Sequence, residues 1–230
     1  MAAAVEAAEL GLAEELLVAA VRTFVQLSCL GAILHPFFAT RRPVLVLAYI
    51  LCFMLPLAGY EAMARSKLAY SRMYFVAVAS LALGVVVMEA AAVLMVSPKP
   101  WYSAKYLIPL AGMLISNSLS GTSLALDQLL DHLVVHKEHV EVLLSFGATP
   151  VEAVWPGFVR IFRQALTPTL NAMNVMGLVS IPGMMTGQVL GGSSPAKAAR
   201  YQILIMYLIT SSVAISTSAV CALTVRSTFD

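Results

Sequence analysis

The chain has 230 residues, 60% of them apolar and only 11% charged, with a formal net charge of +2 and a mean hydropathy of +0.87. Soluble domains are nearer half apolar and a quarter charged, so this composition excludes an ordinary soluble fold and calls for lipid as solvent. The charge is too small and the Lys and Arg residues too scattered for a nucleic-acid partner, and the apolar content excludes disorder. The expected partner is a lipid bilayer.

The first nine residues, Met1 to Glu9, are Ala-rich and acidic. They have neither the basic start nor the apolar core of a signal peptide, and read as an interfacial lead-in or as part of a longer N-terminus. From there the apolar runs predict six helical spans, at roughly 13–34, 44–62, 73–96, 106–126, 168–190 and 201–225, each near the ~20 residues needed to cross hydrocarbon. Barrel strands would alternate over about ten residues, and these runs are continuous, so the fold class is all-α, a polytopic transmembrane helical bundle. Breakers mark the joints at His35-Pro36, Arg41-Arg42-Pro43, Ser97 to Pro100 and Gly191 to Pro195. Cys29, Cys52 and Cys221 lie in apolar stretches with no metal-ligand spacing and read as small hydrophobes.

Four connections are short, while the fifth, from 127 to 167, is long and polar. It is still patterned: Leu126, Leu129, Leu130, Leu133 and Val134 repeat at helical spacing, which predicts that the fourth span continues out of the membrane as an amphipathic helix. One side of the bundle collects six basic residues (Arg41, Arg42, Lys99, Lys105, Lys197 and Arg200). The other collects seven (Arg65, Lys67, Arg72, Lys137, Arg160, Arg163 and Arg226), which narrowly places the long loop in the cytosol.

Within that loop Glu141 precedes Gly147, Ala148, Thr149 and Pro150, and Leu166-Thr167-Pro168 follows. Gly147 permits a sharp reversal, and Thr149 suits the cap of a new helix with Pro150 at its first position. The spacing resembles the cytoplasmic coupling loop of ABC-transporter permeases. The stretch from Ala165 to Gly192 includes Asn171, Asn174, Ile181-Pro182-Gly183-Met184-Met185-Thr186-Gly187 and Gln188. With Arg22-Thr-Phe-Val-Gln-Leu, Pro109-Leu-Ala-Gly-Met and Asn117, it resembles the permease family of bacterial iron exporters and plant aluminium-sensitive proteins, the UPF0014-type membrane proteins. The resemblance covers roughly residues 12 to 225.

That resemblance implies a single permease domain over 1–230, with 127–167 as its cytosolic coupling region and a separate ATP-binding subunit as partner. It also implies a homodimer of the permease, and a cargo such as iron or a nucleotide sugar. Metal homeostasis or aluminium tolerance would be its role. Family members usually have seven spans, one of them ahead of Gly11, where six are read here. No GxxxxGK[ST] loop is present, so energy must come from another chain; no cofactor and no enzymatic activity are expected. Neither HExxH nor GxSxG occurs. The plasma membrane is the expected location, with an organelle membrane as the alternative.

Several residues are candidates for the cargo path. Pro182 removes a backbone hydrogen bond and Gly183 loosens the helix, so the fifth span should break at membrane depth, with Thr186 and Gln188 just beyond and Asn171 and Asn174 before it. Gly183, Gly187 and Gly191 form a GxxxG stripe suited to a close helix or subunit contact. Glu89 lies deep in the third span, where ionisable groups are costly; it is a path residue or an ion-pair partner for Arg22. Met173, Met176, Met184 and Met185 crowd one span as soft-metal ligands or as apolar filler. His132, His136 and His139 share a stripe that suits a metal or a solvated helix edge. Two other classes stay open: a proton- or ion-coupled carrier that titrates Glu89, and a membrane scaffold assembled through the glycine stripe.

Overall fold

A computed structural model describes residues 12–39, 42–98 and 100–229. The lead-in at 1–9, Arg41 and Lys99 lie outside the described residues. The elements are α1 (Leu12–Ala39), α2 (Pro43–Tyr49), a π-helical turn (Ile50–Met54), α3 (Leu55–Ala64), α4 (Met73–Val96), α5 (Ala104–Val135), α6 (Lys137–Ser145), α7 (Pro150–Val175), α8 (Gly183–Leu190) and α9 (Pro195–Phe229). The molecule is a polytopic helical membrane protein: among the described residues five helical stretches, Ala13–Leu34, Pro43–Ala64, Met73–Val96, Ala104–Val135 and Pro195–Phe229, are long and apolar enough to cross a bilayer. Helices suit lipid because every backbone hydrogen bond is made within the segment.

The second crossing joins α2, the π turn and α3. Pro56 is the second residue after the π turn. A proline has no N–H to donate and crowds the carbonyl four residues back, and a widened turn relieves both problems.

Two apolar clusters define the ends of the bundle. At one end Val46 and Ile50, Ala92, Ala104 and Leu107 pack with Ile205 and Met206. At the other, Ala62, Met73, Leu126 and Leu129 pack with Val220, Cys221 and Val225. The second end carries the long connection and is called the lever end below.

The expected span at 168–190 is corrected. Helix α7 stops at Val175, Met176 to Pro182 form a turn, and α8 has only 8 residues. Helix α7, Pro150–Val175, is not one of the five stretches long and apolar enough to cross. Its residues Val154, Ile161 and Ala165 pack at the lever end with Val220, Cys221 and Val225. Farther along, Thr210 donates to the sulfur of Met173 at 3.0 Å and the Gln202 amide to Met176 at 3.8 Å. Helix α7 therefore runs antiparallel to α9 along the height of the bundle. Arg160, Arg163 and two prolines, Pro156 and Pro168, lie within it.

The expected outward extension of the fourth span is present as the unbroken 32-residue α5. Leu126, Leu129 and Leu130 are buried as the periodicity required, whereas Val134 is 62% exposed.

Helix α9 is the hub. Its buried Ser212, Ser216 and Thr217 face Gly84 of α4 and Gly121 of α5, and the Ser118 and Ser212 hydroxyls are hydrogen-bonded at 2.8 Å. Small residues let the helix axes approach, and this closeness replaces the hydrophobic drive that lipid cannot supply. By contrast α1 stands off the bundle: Ala13 to Ile33 are all exposed.

A Cβ on Gly84 would collide with the Ser216 hydroxyl and lie 2.7 Å from the Ser212 backbone carbonyl. Gly84→Val should therefore destabilise by about 1–3 kcal/mol, the usual cost of overpacking. Thermal unfolding in detergent will show this as a lowered midpoint, with Gly112→Ala, where a Cβ would meet only the end of the Met54 side chain at 3.6 Å, as the unaffected control.

Candidate functional site

The lever begins where α5 leaves the bundle. Helix α6 is short, and its ion pair between Lys137 and Glu141 spans 3.7 Å on an exposed face. It ends in a tight cap. Gly147 sits at φ +90, its N–H donates to Leu144 at 3.0 Å, and the Ala148 N–H donates to Leu143 at 3.1 Å. Those paired bonds across a left-handed residue are a Schellman closure, and glycine adopts that backbone without strain.

Three residues later α7 starts with a reciprocal cap. The Glu152 N–H donates to the Thr149 hydroxyl at 3.3 Å, and the Thr149 N–H donates to the Glu152 carboxylate at 2.8 Å. Pro150 occupies the first turn. The cap at Thr149 and the place of Pro150 are as the sequence indicated, whereas Glu152 was overlooked although Thr-x-x-Glu is its sequence signature. The hydrogen bonds from Thr149 hold the Glu152 carboxyl below the usual carboxylate range. Glu141, Gly147, Ala148, Thr149 and Pro150 thus all lie on one protruding helix–turn–helix.

The tip is apolar on the outside: Phe146 is 84% exposed, with Trp155 and Val151 also exposed. Behind it, at the α5–α7 joint, Gln128, Asp131, His132, His136, Arg160 and Gln164 line a cavity of ≈ 270 Å³. The His132 ring fills the space above Gly157 and lies 4.4 Å from the His136 ring. The stripe of His132, His136 and His139 does not become a metal centre. No group of three or more His, Cys, Asp or Glu is placed to hold a metal among the described residues.

From the tip, α7 runs for 26 residues, about 39 Å at 1.5 Å per residue. Its free face carries Arg160, Arg163, Gln164, Thr167, Asn171 and Asn174, all exposed. Asn171 and Asn174 make no hydrogen bond among the described residues. At Met176 the chain turns, with Gly177 at φ +81 and its N–H donating to Ser180 at 2.9 Å. Pro182 then caps α8, its carbonyl accepting the Thr186 N–H at 3.0 Å and the Thr186 hydroxyl at 3.2 Å. The expected break is real, but it falls at Met176 to Pro182 and near the end of the bundle opposite the lever.

The cargo-path candidates are not gathered into one channel within a single chain. Pro182 lines a cavity between α7, α8 and α9. Glu89 lines a separate apolar cavity of ≈ 390 Å³ with residues of the π turn, α4 and α5. Its Oε1 is buried without a hydrogen-bond partner. The ion pair with Arg22 does not form: Arg22 is exposed on α1, and Lys137–Glu141 is the ion pair found among the described residues. Among the described residues Gly183 and Gly187 meet no other helix, and Gly191 lies past the end of α8 against that helix's own backbone.

Five membrane-length apolar helices among the described residues and a capped lever define a multi-pass membrane protein with a protruding helical hairpin. The chain belongs to the uncharacterised protein family UPF0014, whose model matches residues 1–229. It is 38% identical over 224 residues to a UPF0014 membrane protein of Synechocystis, covering 96% of this chain and 85% of the relative. It is 33% identical over 208 residues to the Arabidopsis thaliana protein ALUMINUM SENSITIVE 3, covering 90% and 74% of the two chains. With Escherichia coli FetB, named a probable iron export permease protein, identity is 32% over 220 residues, covering 95% and 83%. No solved structure matches the chain.

Because the folded-state Glu152 carboxyl is depressed, its cap is intact above the ordinary carboxylate pKa and is lost as pH falls through the lowered value. The protection of the Thr149 and Glu152 amides, as the intrinsic exchange rate divided by the observed rate at each pH, should therefore fall on acidification in the wild type, and Thr149→Ala should show low protection at Glu152 already at neutral pH. Losing the Thr149 cap costs about 1 kcal/mol by the usual measure of N-caps.

Proposed function

We propose that this chain is the membrane-spanning permease subunit of an ABC-type transporter, worked by a separate ATP-binding subunit and paired with a second copy of itself. One observation carries the reading: the lever and the break are the two ends of a single helix. A push on the Phe146 turn is delivered through rigid α7 to the Met176–Pro182 turn at the far end of the bundle. The two caps that flank the lever turn keep such a push from being absorbed by fraying.

The apolar tip of Phe146, Val151 and Trp155, on a hairpin otherwise charged and exposed, has the character of a surface that docks into a groove. A second copy is supported by what lipid cannot satisfy. Arg22 and Gln26 on α1, and Thr167, Asn171 and Asn174 on α7, lie at exposed positions of membrane-height helices, and such groups face protein or a watery path rather than acyl chains. Two α7 polar faces apposed across a dimer would enclose the route; Gly183 and Gly187 are free for the same contact. The names of FetB and ALUMINUM SENSITIVE 3 support a metal ion or a metal-linked small solute as cargo.

A second reading rests on Glu89. A carboxyl oxygen without a partner inside an apolar cavity is suited to gain and lose a proton, as an ion-coupled carrier requires. Such a carrier would show pH-driven uptake by the chain alone, abolished in Glu89→Gln.

Purification from the native membrane tests the permease reading. A nucleotide-hydrolysing subunit should accompany the wild type and be reduced at least tenfold with Phe146→Asp, while the melting temperature stays unchanged because Phe146 is 84% exposed. A wild-type chain that arrives without such a companion overturns it.

A further inference from the structure

We propose that the cavity behind the break is a binding site for a soft monovalent cation, Cu(I) or Ag(I), held by methionine thioethers. The cavity measures ≈ 360 Å³, and Met173, Met176, Met185 and Met206 line it together with Gln202 and Tyr207. These sulfurs come from α7, the turn, α8 and α9, so the fold assembles them from four separate places. Methionine that serves as filler occupies space; these four surround it.

The surroundings select the ligand. Among the described residues no carboxylate, imidazole or thiol lines the cavity, so hard cations such as Mg²⁺ or Al³⁺ would find none of the anionic oxygens they require there. Neutral thioethers suit a weakly hydrated, polarisable d¹⁰ ion, and its single charge is the least costly to bring into a largely apolar pocket. Two sulfurs are already oriented, Met173 by the Thr210 hydroxyl at 3.0 Å and Met176 by the Gln202 amide at 3.8 Å. A thioether keeps a second lone pair when it accepts one such bond. Gln202 is only 8% exposed, and its Oε1 is buried with no hydrogen-bond partner. A buried acceptor in that condition calls for a ligand.

Binding is a property of the chain's own residues and needs no ATP-binding partner, so it can fail while the permease reading stands, and the reverse. Three free cysteines also take Cu(I), so the measurement uses the full chain with Cys29, Cys52 and Cys221 replaced by Ser, in nanodiscs. Titration with Ag(I), and with Cu(I) against a chelator of known affinity, should give one bound ion per chain, with sulfur-only or sulfur-dominated ligation by X-ray absorption. Met185→Leu combined with Met206→Leu removes two thioethers at nearly constant volume and should weaken binding at least tenfold. Adding Met173→Leu and Met176→Leu should abolish it. Circular dichroism and the melting temperature report whether each variant is folded, and Met185→Leu alone, expected to weaken binding at least threefold, serves if the multiple variants are not. Unchanged affinity in the folded Leu variants, no stoichiometric binding by the parent chain, or a phospholipid resident in the cavity would overturn the proposal.

Discussion

The close approach of three helices at α9 is the contact on which everything else rests. Lipid tails are as apolar as leucine, so a membrane bundle gains little from burying oil in oil and must gain from packing density instead. Gly84 and Gly121 give up their side chains so that α4 and α5 can lie against Ser212, Ser216 and Thr217. The Ser118–Ser212 hydrogen bond ties α5 to α9 inside that seam. The Ser216 and Thr217 hydroxyls have no partner there, so their contribution is small size rather than hydrogen bonding.

With that seam fixed, α7 has a firm surface to run along. Its buried residues at the lever end, Val154, Ile161 and Ala165, pack on the same cluster as Cys221 and Val225, and the far end is held by weaker contacts to methionine sulfur. Firm packing near the lever and soft packing near the break give the helix a fixed end and a yielding end. Methionine suits the yielding end, since its unbranched side chain keeps contact while neighbours shift.

The polar groups of the membrane region are divided in an informative way. Inside the bundle are small hydroxyls together with Glu89, Asn117, Gln128 and Gln202. Arg22, Gln26, Asn171 and Asn174 are on the outside of the single chain. An isolated chain in lipid would leave them unsatisfied. The incomplete surface is therefore on α1 and α7, the two long helices least enclosed by the rest of the chain.

Periodicity and composition determined much of this by themselves: a helical membrane protein, five of its crossings, the extension of α5 past Asp127 and the capped turn from Gly147 to Pro150. Each depends on local chemistry, on a continuous apolar run, a 3.6-residue stripe, or a residue with a special backbone preference. Tertiary structure decided the rest. The span expected at 168–190 is instead divided at Met176–Pro182 between α7 and the short α8, and α7 starts as early as Pro150 because packing against α5 and α9 shelters one face of a helix whose other face is polar. Arg22 and Glu89 looked like partners in sequence and ended apart, since α1 is exposed from Ala13 to Ile33 and packs on the core at Leu34, away from Arg22. The methionines of α7, the turn and α8 met Met206 only because α9 runs back past them. Which side chains share a cavity depends on contacts between residues far apart in the chain, and no local pattern encodes those distances.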